Sequence, residues 1–139
     1  MIAIDTNVIL HLLVSSQKEH PRAKAWLSGN KDRPAVTGTN IAEVLRLLTH
    51  PRVFPSPLLL NQAVDLVTEF VDQYEIVILD ENEKWWKELK DLLKVNPALK
   101  GNEVFDARIA LCLRYHGIRQ ICTLDADFAK YPFLRIVTI

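Results

Sequence analysis

Residues 1–7 of the chain read MIAIDTN, an apolar run that ends in an acidic residue, and residues 121–125 read ICTLD. Both apolar runs have the length and composition of short buried strands. Asp5 and Asp125 therefore follow the carboxyl ends of two predicted strands, and Asp127 comes shortly afterwards. Because ligands of open α/β sheets bind outside the carboxyl ends of the strands, we expect these acids to lie at the functional site.

Helix-like and strand-like patterns alternate along the rest of the chain. Apolar residues at helical spacing predict helices over residues 6–13, 20–27, 41–48, 58–74, 82–95 and 103–116. Short apolar runs predict further strands over residues 35–37, 75–79 and 135–139. We therefore expect a single α/β domain spanning residues 1–139, with a mostly parallel sheet covered by helices on both faces.

The bulk composition argues against several classes of protein. Lys and Arg number 17 and so do Asp and Glu, so the chain lacks the basic excess of many nucleic-acid-binding proteins. Cys112 and Cys122 are too far apart for a Cys-x-x-Cys motif, and we interpret them as buried thiols. The first residues do not resemble a signal peptide, and no apolar run reaches the roughly 18 residues of a membrane helix. We expect a cytoplasmic protein that makes no membrane contact.

Two more acids, Glu43 and Asp106, lie on predicted helices. The helix around Asp106 is apolar almost all round, and on a helical wheel Asp106 falls among Ile109, Ala110 and Leu113. Burying an unpaired carboxylate is strongly unfavourable, so Asp106 needs a cation, a metal ion or a raised pKa. A convergent group of carboxylates without cysteine or histidine suits a hard divalent cation such as Mg²⁺ or Mn²⁺. Such a site usually acts on phosphate.

Most of these acids also have a purely structural interpretation. Asp5 could cap the helix that follows it. Glu43 could form a capping box with Asn40, and Asp125 with Asp127 could form an Asx turn. Unrelated caps need not converge, however, so the joint arrangement favours a metal site over these separate explanations.

Four segments, taken together and in this order, resemble the PIN domain: DTN at residues 5–7, IAEV at 41–44, GNEVFDARIA at 101–110 and TLDADF at 123–128. Within that family the chain is most similar to the VapC-type toxin ribonucleases of prokaryotic toxin–antitoxin pairs. The resemblance implies a three-layer α/β/α fold and metal-dependent cleavage of RNA. It also implies homodimers and a small antitoxin protein that occludes the site.

The resemblance also implies roles for individual residues. Asp5, Glu43 and Asp106 match three metal-binding acids of the family. The fourth acid is Asp125 or Asp127, and we favour Asp125 because it lies nearer the end of the strand. Hydroxyl and amide groups around the metal ion would come from Thr6, Asn7 and Thr123. The basic residues that could contact RNA are Arg46, Arg52 and Arg108.

Two other functions stay open on the sequence alone. The same fold could be a catalytically silent scaffold that binds RNA or a partner protein, although the complete set of acids argues against it. Phosphatases of the haloacid-dehalogenase type also begin with a strand and an Asp, but they carry a D-x-D pair where this chain has Asn7. The sequence therefore favours an endoribonuclease that uses Mg²⁺ or Mn²⁺, with Asp5, Glu43, Asp106 and Asp125 as its catalytic residues.

Overall fold

A five-stranded sheet lies at the centre of the computed structural model, which describes residues 1–139. Its strands are β1 (Ile2–Ile4), β2 (Pro34–Thr37), β3 (Val77–Leu79), β4 (Gln120–Cys122) and β5 (Arg135–Val137). They lie in the order β3-β2-β1-β4-β5, and every neighbouring pair is parallel. The predicted α/β class and the predicted parallel sheet are confirmed.

Six α-helices pack around the sheet: α1 (Thr6–Leu13), α2 (His20–Gly29), α3 (Gly38–Leu48), α4 (Leu60–Gln73), α5 (Trp85–Val95) and α6 (Glu103–Tyr115). A short 3₁₀ helix, Ala126–Lys130, follows β4. The predicted start of α3 at Ile41 was wrong, because Thr37 caps this helix and accepts a hydrogen bond from the backbone N–H of Asn40. None of the helices is both long enough and apolar enough to cross a membrane.

The two faces of the sheet are covered by different helices. Ile2 and Ile4 of β1 belong to an apolar core with α1, α2, α3 and α4, whereas Ala3 belongs to a second core with α5 and α6. Alternate side chains of a strand point to opposite faces, so β1 is buried from both sides. Both cysteines lie in these cores, where burial raises the pKa of each thiol to about 12. The result is the three-layer α/β/α architecture.

The strand order determines which residues meet at the edge of the sheet. The chain leaves β1 toward β2 on one side and returns to β4 on the other, so β1 lies where the order of connection reverses. Ile4 pairs with Cys122, and the Asp5 N–H donates a hydrogen bond of 2.9 Å to the Cys122 carbonyl. The segments that follow β1 and β4 therefore lie side by side, at the kind of switch point where α/β folds bind ligands.

Candidate metal centre

Asp5 lies at the centre of a hydrogen-bond network at the end of β1. Its side chain caps α1 by accepting a 2.8 Å hydrogen bond from the Thr6 N–H. The other carboxylate oxygen accepts hydrogen bonds from the Asn7 amide at 2.8 Å and the Thr123 hydroxyl at 2.6 Å. The structural interpretation of Asp5 as a helix cap was therefore correct. It does not exclude the metal site, because carboxylate oxygens have further lone pairs.

The pKa of Asp5 reflects where this carboxylate lies. The residue is only 5% exposed, and burial is the largest cause of a pKa raised to about 6. Hydrogen bonds from Thr123 and Thr6 oppose this rise because they stabilise the charged form, while the charges of Glu43 and Asp125 add to it. Asp5 therefore faces two other acids from different elements.

Glu43 is tied to the same network through Thr6. The Thr6 hydroxyl donates a 2.6 Å hydrogen bond to Glu43 Oε2 and accepts one of 3.1 Å from the Asn40 amide. The proposed capping box between Asn40 and Glu43 was wrong. Asn40 instead pairs with Thr37, each accepting a hydrogen bond from the backbone N–H of the other. With the start of α3 fixed in this way, Glu43 is left to point toward α1.

Asp106 has no hydrogen-bond partner and is surrounded by like charge. Burial is the first cause of its pKa being raised to about 6, followed by the charges of Asp5, Asp125 and Glu43. Lys130 lowers this pKa slightly, but its ammonium group is already 2.6 Å from Glu103. The expectation that Asp106 would need a cation, a metal ion or a raised pKa agrees with this environment.

Asp125 and Asp127 lie in clearly different places. The Asp125 carboxylate accepts a 2.8 Å hydrogen bond from the Asp127 N–H, which forms the predicted Asx turn at the start of the 3₁₀ helix. Asp125 raises the pKa of both Asp5 and Asp106, whereas Asp127 is not among the charges that affect either group. The Asp127 side chain is 68% exposed and lies 3.9 Å from the Lys130 ammonium. This arrangement favours Asp125 as the fourth acid.

The donor set suits a hard divalent cation, but the side chains do not already enclose one. Every candidate ligand is a carboxylate oxygen, the donor that Mg²⁺ and Mn²⁺ prefer. No group of three or more Asp, Glu, His or Cys side chains is close enough together to hold an ion as the side chains stand. The carboxylates therefore suit such an ion by the chemistry of their oxygens, and they would have to move closer together to bind it.

A pocket of about 690 Å³ adjoins the acids. Helix α3 contributes Glu43 and Arg46 to its lining, and α6 contributes Phe105, Asp106 and Arg108. Of the three basic residues that the sequence proposed for RNA contact, two therefore line the pocket. Arg52 does not, because it lies in the turn that follows α3. The pocket lining also includes Asp127.

The sequence did not reveal what holds Arg108 in place. Its guanidinium donates to Glu81 Oε2 at 2.6–2.7 Å and lies 4.8 Å from the ring centre of Trp85. The Thr39 hydroxyl donates to the other oxygen of Glu81 at 2.9 Å. Glu81 thus joins α3 to α6 beside the pocket. No pattern in the sequence indicates this link, because the three partners come from separate segments.

Comparison with known proteins agrees with the observed fold. The PIN domain family model matches residues 2–134. Ribonuclease VapC24 of Mycobacterium tuberculosis is 31% identical over 98% of this chain and 94% of its own length. Among solved structures, Mycobacterium tuberculosis VapC20, a sarcin–ricin loop cleaving toxin, matches with a TM-score of 0.70 at 18% identity over 93% of each chain. VapBC2 from Rickettsia felis, bound to a promoter DNA fragment, matches with a TM-score of 0.65 at 17% identity, covering 99% of this chain and 98% of that chain. The chain therefore belongs to the PIN-domain family and is one of its VapC-type members.

Proposed function

We propose that this protein is a divalent-metal-dependent endoribonuclease and the toxin of a toxin–antitoxin pair. The observation that carries the proposal is the environment of Asp5 and Asp106. Each has a pKa raised to about 6, and the charges of Glu43 and Asp125 contribute in both cases. Such a group of acids weakens the metal-free fold, so a bound cation is the simplest reason for its presence.

The ligands of the metal ion would be Asp5, Glu43, Asp106 and Asp125. Divalent-metal dependence is general among PIN-domain VapC nucleases, and the carboxylate set favours Mg²⁺ or Mn²⁺ here. The ion would lower the pKa of a water molecule that attacks phosphorus and would stabilise negative charge on the phosphate oxygens.

The surrounding residues would fix the positions of these acids. Thr123 and Asn7 hold one oxygen of Asp5, and Thr6 holds Glu43, so these two carboxylates cannot turn freely. Asp106 has no such restraint and can turn toward an ion. This combination supports a site in which two acids are oriented before the ion arrives and a third adjusts to it.

The relatives support the choice of substrate and partner. VapC24 is named a ribonuclease, and VapC20 is described as a toxin that cleaves the sarcin–ricin loop. For this chain we propose RNA as the substrate and a small antitoxin protein as the partner that occludes the site, in line with the solved VapBC structures that it resembles. We also propose a homodimer and a cytoplasmic location, which follow from the family resemblance.

Cleavage of a mixed RNA pool tests the proposal. The purified protein should cut RNA in Mn²⁺ and should stop when EDTA is added. Asp106→Asn should abolish cleavage, since the amide keeps the shape but loses the charge. Asp65→Asn is the matched control, because Asp65 is an exposed acid on α4 without a hydrogen bond or ion pair, and its cleavage should equal that of the wild type.

The other outcomes distinguish the competing functions. A wild-type protein that neither cuts RNA nor binds metal would be the silent scaffold. A protein that hydrolyses small phosphoesters but leaves RNA intact would be a phosphatase. Equal cutting by the Asp106→Asn variant would mean that the site is misplaced or that the preparation contains another nuclease.

A further inference from the structure

The pocket beside the acids contains an aromatic side chain for which the metal centre has no use. Phe105 lies in the first turn of α6, immediately before Asp106, and 45% of its surface is exposed. It makes no aromatic pair within the chain. Single exposed apolar residues are common, but Phe105 lines the same pocket as Asp106, so its ring is open to a molecule bound there.

The composition of the pocket indicates what kind of partner this is. Only two of its 11 lining residues are hydrophobic, Phe105 and Ala42. An apolar protein segment would find almost nothing to bury against. A nucleotide would find a flat ring for its base in Phe105 and a positive charge for its phosphate in Arg46. Ligand pockets typically measure about 300–1,000 Å³, and the observed 690 Å³ is enough for one nucleotide.

A free positive charge lies in the same pocket. Arg46 is exposed and has neither a hydrogen bond nor an ion pair, whereas Arg108 is already paired with Glu81. Arg46 follows Glu43 by three positions, and residues with this spacing share a helix face. A phosphate next to Glu43 would therefore have an unpaired guanidinium within the same pocket.

Resting on the function proposed above, we propose that this pocket binds an unpaired nucleotide of the RNA substrate, next to the cleaved phosphate. Phe105 stacks on its base and Arg46 pairs with its phosphate. Stacking requires a base that is not held in a base-paired helix. Because every base has a π-face, Phe105 contributes affinity for unpaired bases in general.

Binding of two RNA probes tests this inference. One probe is a labelled single-stranded RNA 12-mer of mixed sequence, and the other is the same ribose-phosphate chain without bases. Dissociation constants are measured by fluorescence anisotropy in Mg²⁺, with Asp106→Asn as the common background so that the RNA stays intact. Phe105→Ala should weaken binding of the normal RNA about tenfold and leave the abasic probe unchanged.

Three further variants separate stacking from other effects. Phe105→Trp should retain the affinity, because it keeps an aromatic face. Val104→Ala, an exposed apolar residue of the same helical turn that does not line the pocket, should bind like the background protein. Arg46→Gln should weaken the binding of both probes, and this effect should diminish as the salt concentration is raised.

The results distinguish failure of this inference from failure of the proposed function. If the wild type cuts RNA but Phe105→Ala binds both probes as Val104→Ala does, the stacking role is wrong and the nuclease assignment stands. If the wild type does not cut RNA and the background protein binds neither probe, both proposals are wrong.

Discussion

The Thr6 hydroxyl donates a 2.6 Å hydrogen bond to Glu43, which lies 37 positions away in the sequence. The same hydroxyl accepts a hydrogen bond from the Asn40 amide, and Asn40 is only 1% exposed. One small side chain thus joins the beginning of α1 to the first turns of α3. It determines both where a candidate metal ligand points and whether a buried amide has a partner.

Replacement of Thr6 by Val should therefore destabilise the protein. Valine has nearly the same shape, but it leaves the buried Asn40 amide without an acceptor, a loss of about 1–3 kcal/mol. Thr6→Ser keeps the hydroxyl and is the matched control, with a much smaller loss. Urea unfolding monitored by tryptophan fluorescence measures the loss of stability in each of the two variants. Equal losses for Val and Ser would mean that packing of the methyl group, and not the hydrogen bond, is what matters at this position.

Removing the charge of Asp106 should stabilise the metal-free protein. Its folded pKa of about 6 lies above the ordinary value of 3.8, so the folded state holds a proton more tightly than the unfolded state. Stability from this group is therefore highest below about pH 4 and is lost as the pH rises through 6. At pH 7.5 we expect the free energy of unfolding of Asp106→Asn to be about 1 kcal/mol higher than that of the wild type.

Two conditions check this explanation of the Asp106→Asn effect. The gain should shrink as the pH falls and disappear below about pH 3, where the wild-type carboxyl is protonated in both the folded and the unfolded state. Saturating Mg²⁺ should stabilise the wild type more than the variant, because the bound ion neutralises the charges that repel one another. Thermal unfolding in EDTA and in Mg²⁺ measures the second effect. A gain that is constant from pH 4 to 7.5 would show that electrostatic repulsion is not the cause.

Asp125 and Asp127 should differ in their effect on metal binding. Asp125 faces the other acids, and its charge raises the pKa of both Asp5 and Asp106, whereas Asp127 is exposed near Lys130. We expect Asp125→Asn to weaken Mn²⁺ binding at least tenfold and Asp127→Asn to change it by less than about threefold. Isothermal titration calorimetry with Mn²⁺ compares the affinities of the two variants directly. The reverse order would make Asp127 the fourth acid.

Gly117 should be sensitive to substitution for a backbone reason alone. Its φ of 67° lies in the left-handed region, and the N–H of Ile118 returns to the Leu113 carbonyl to close α6. A Cβ at Gly117 would meet no atom within 4 Å, so any cost of Gly117→Ala is conformational and should be about 1 kcal/mol. Gly29→Ala is the control, because Gly29 also has open space but lies in a helix at negative φ. Chemical denaturation should show no loss of stability for Gly29→Ala.

The parts of the site that depend on strand ends could be predicted from sequence. Asp5 and Asp125 each follow an apolar run, and parallel strands bring such ends to one edge of the sheet. Asp106 could be predicted because a carboxylate in an apolar helix needs an explanation. These inferences use only local patterns and one rule of fold geometry.

The parts that depend on helix position and rotation could not be predicted. A capping box with Asn40 was the structural alternative to a metal-binding role for Glu43, but Thr37 forms the box with Asn40 and shifts the start of α3. Phe105 was part of a helix that looked apolar on every side, and its exposure depends on how α6 packs against α3 and α5. Propensities describe segments one at a time, whereas these features arise between segments.

The central position of β1 has a consequence for how the protein is made. A ribosome releases β1 first, but its neighbour β4 is released only after some 115 further residues, and the Thr123 hydroxyl that holds Asp5 lies 118 positions downstream. A nascent chain that ends before β4 therefore has an incomplete sheet and lacks one of the four acids. If the protein cuts RNA as proposed, its catalytic group cannot assemble before β4 and the residues that follow it have been synthesised.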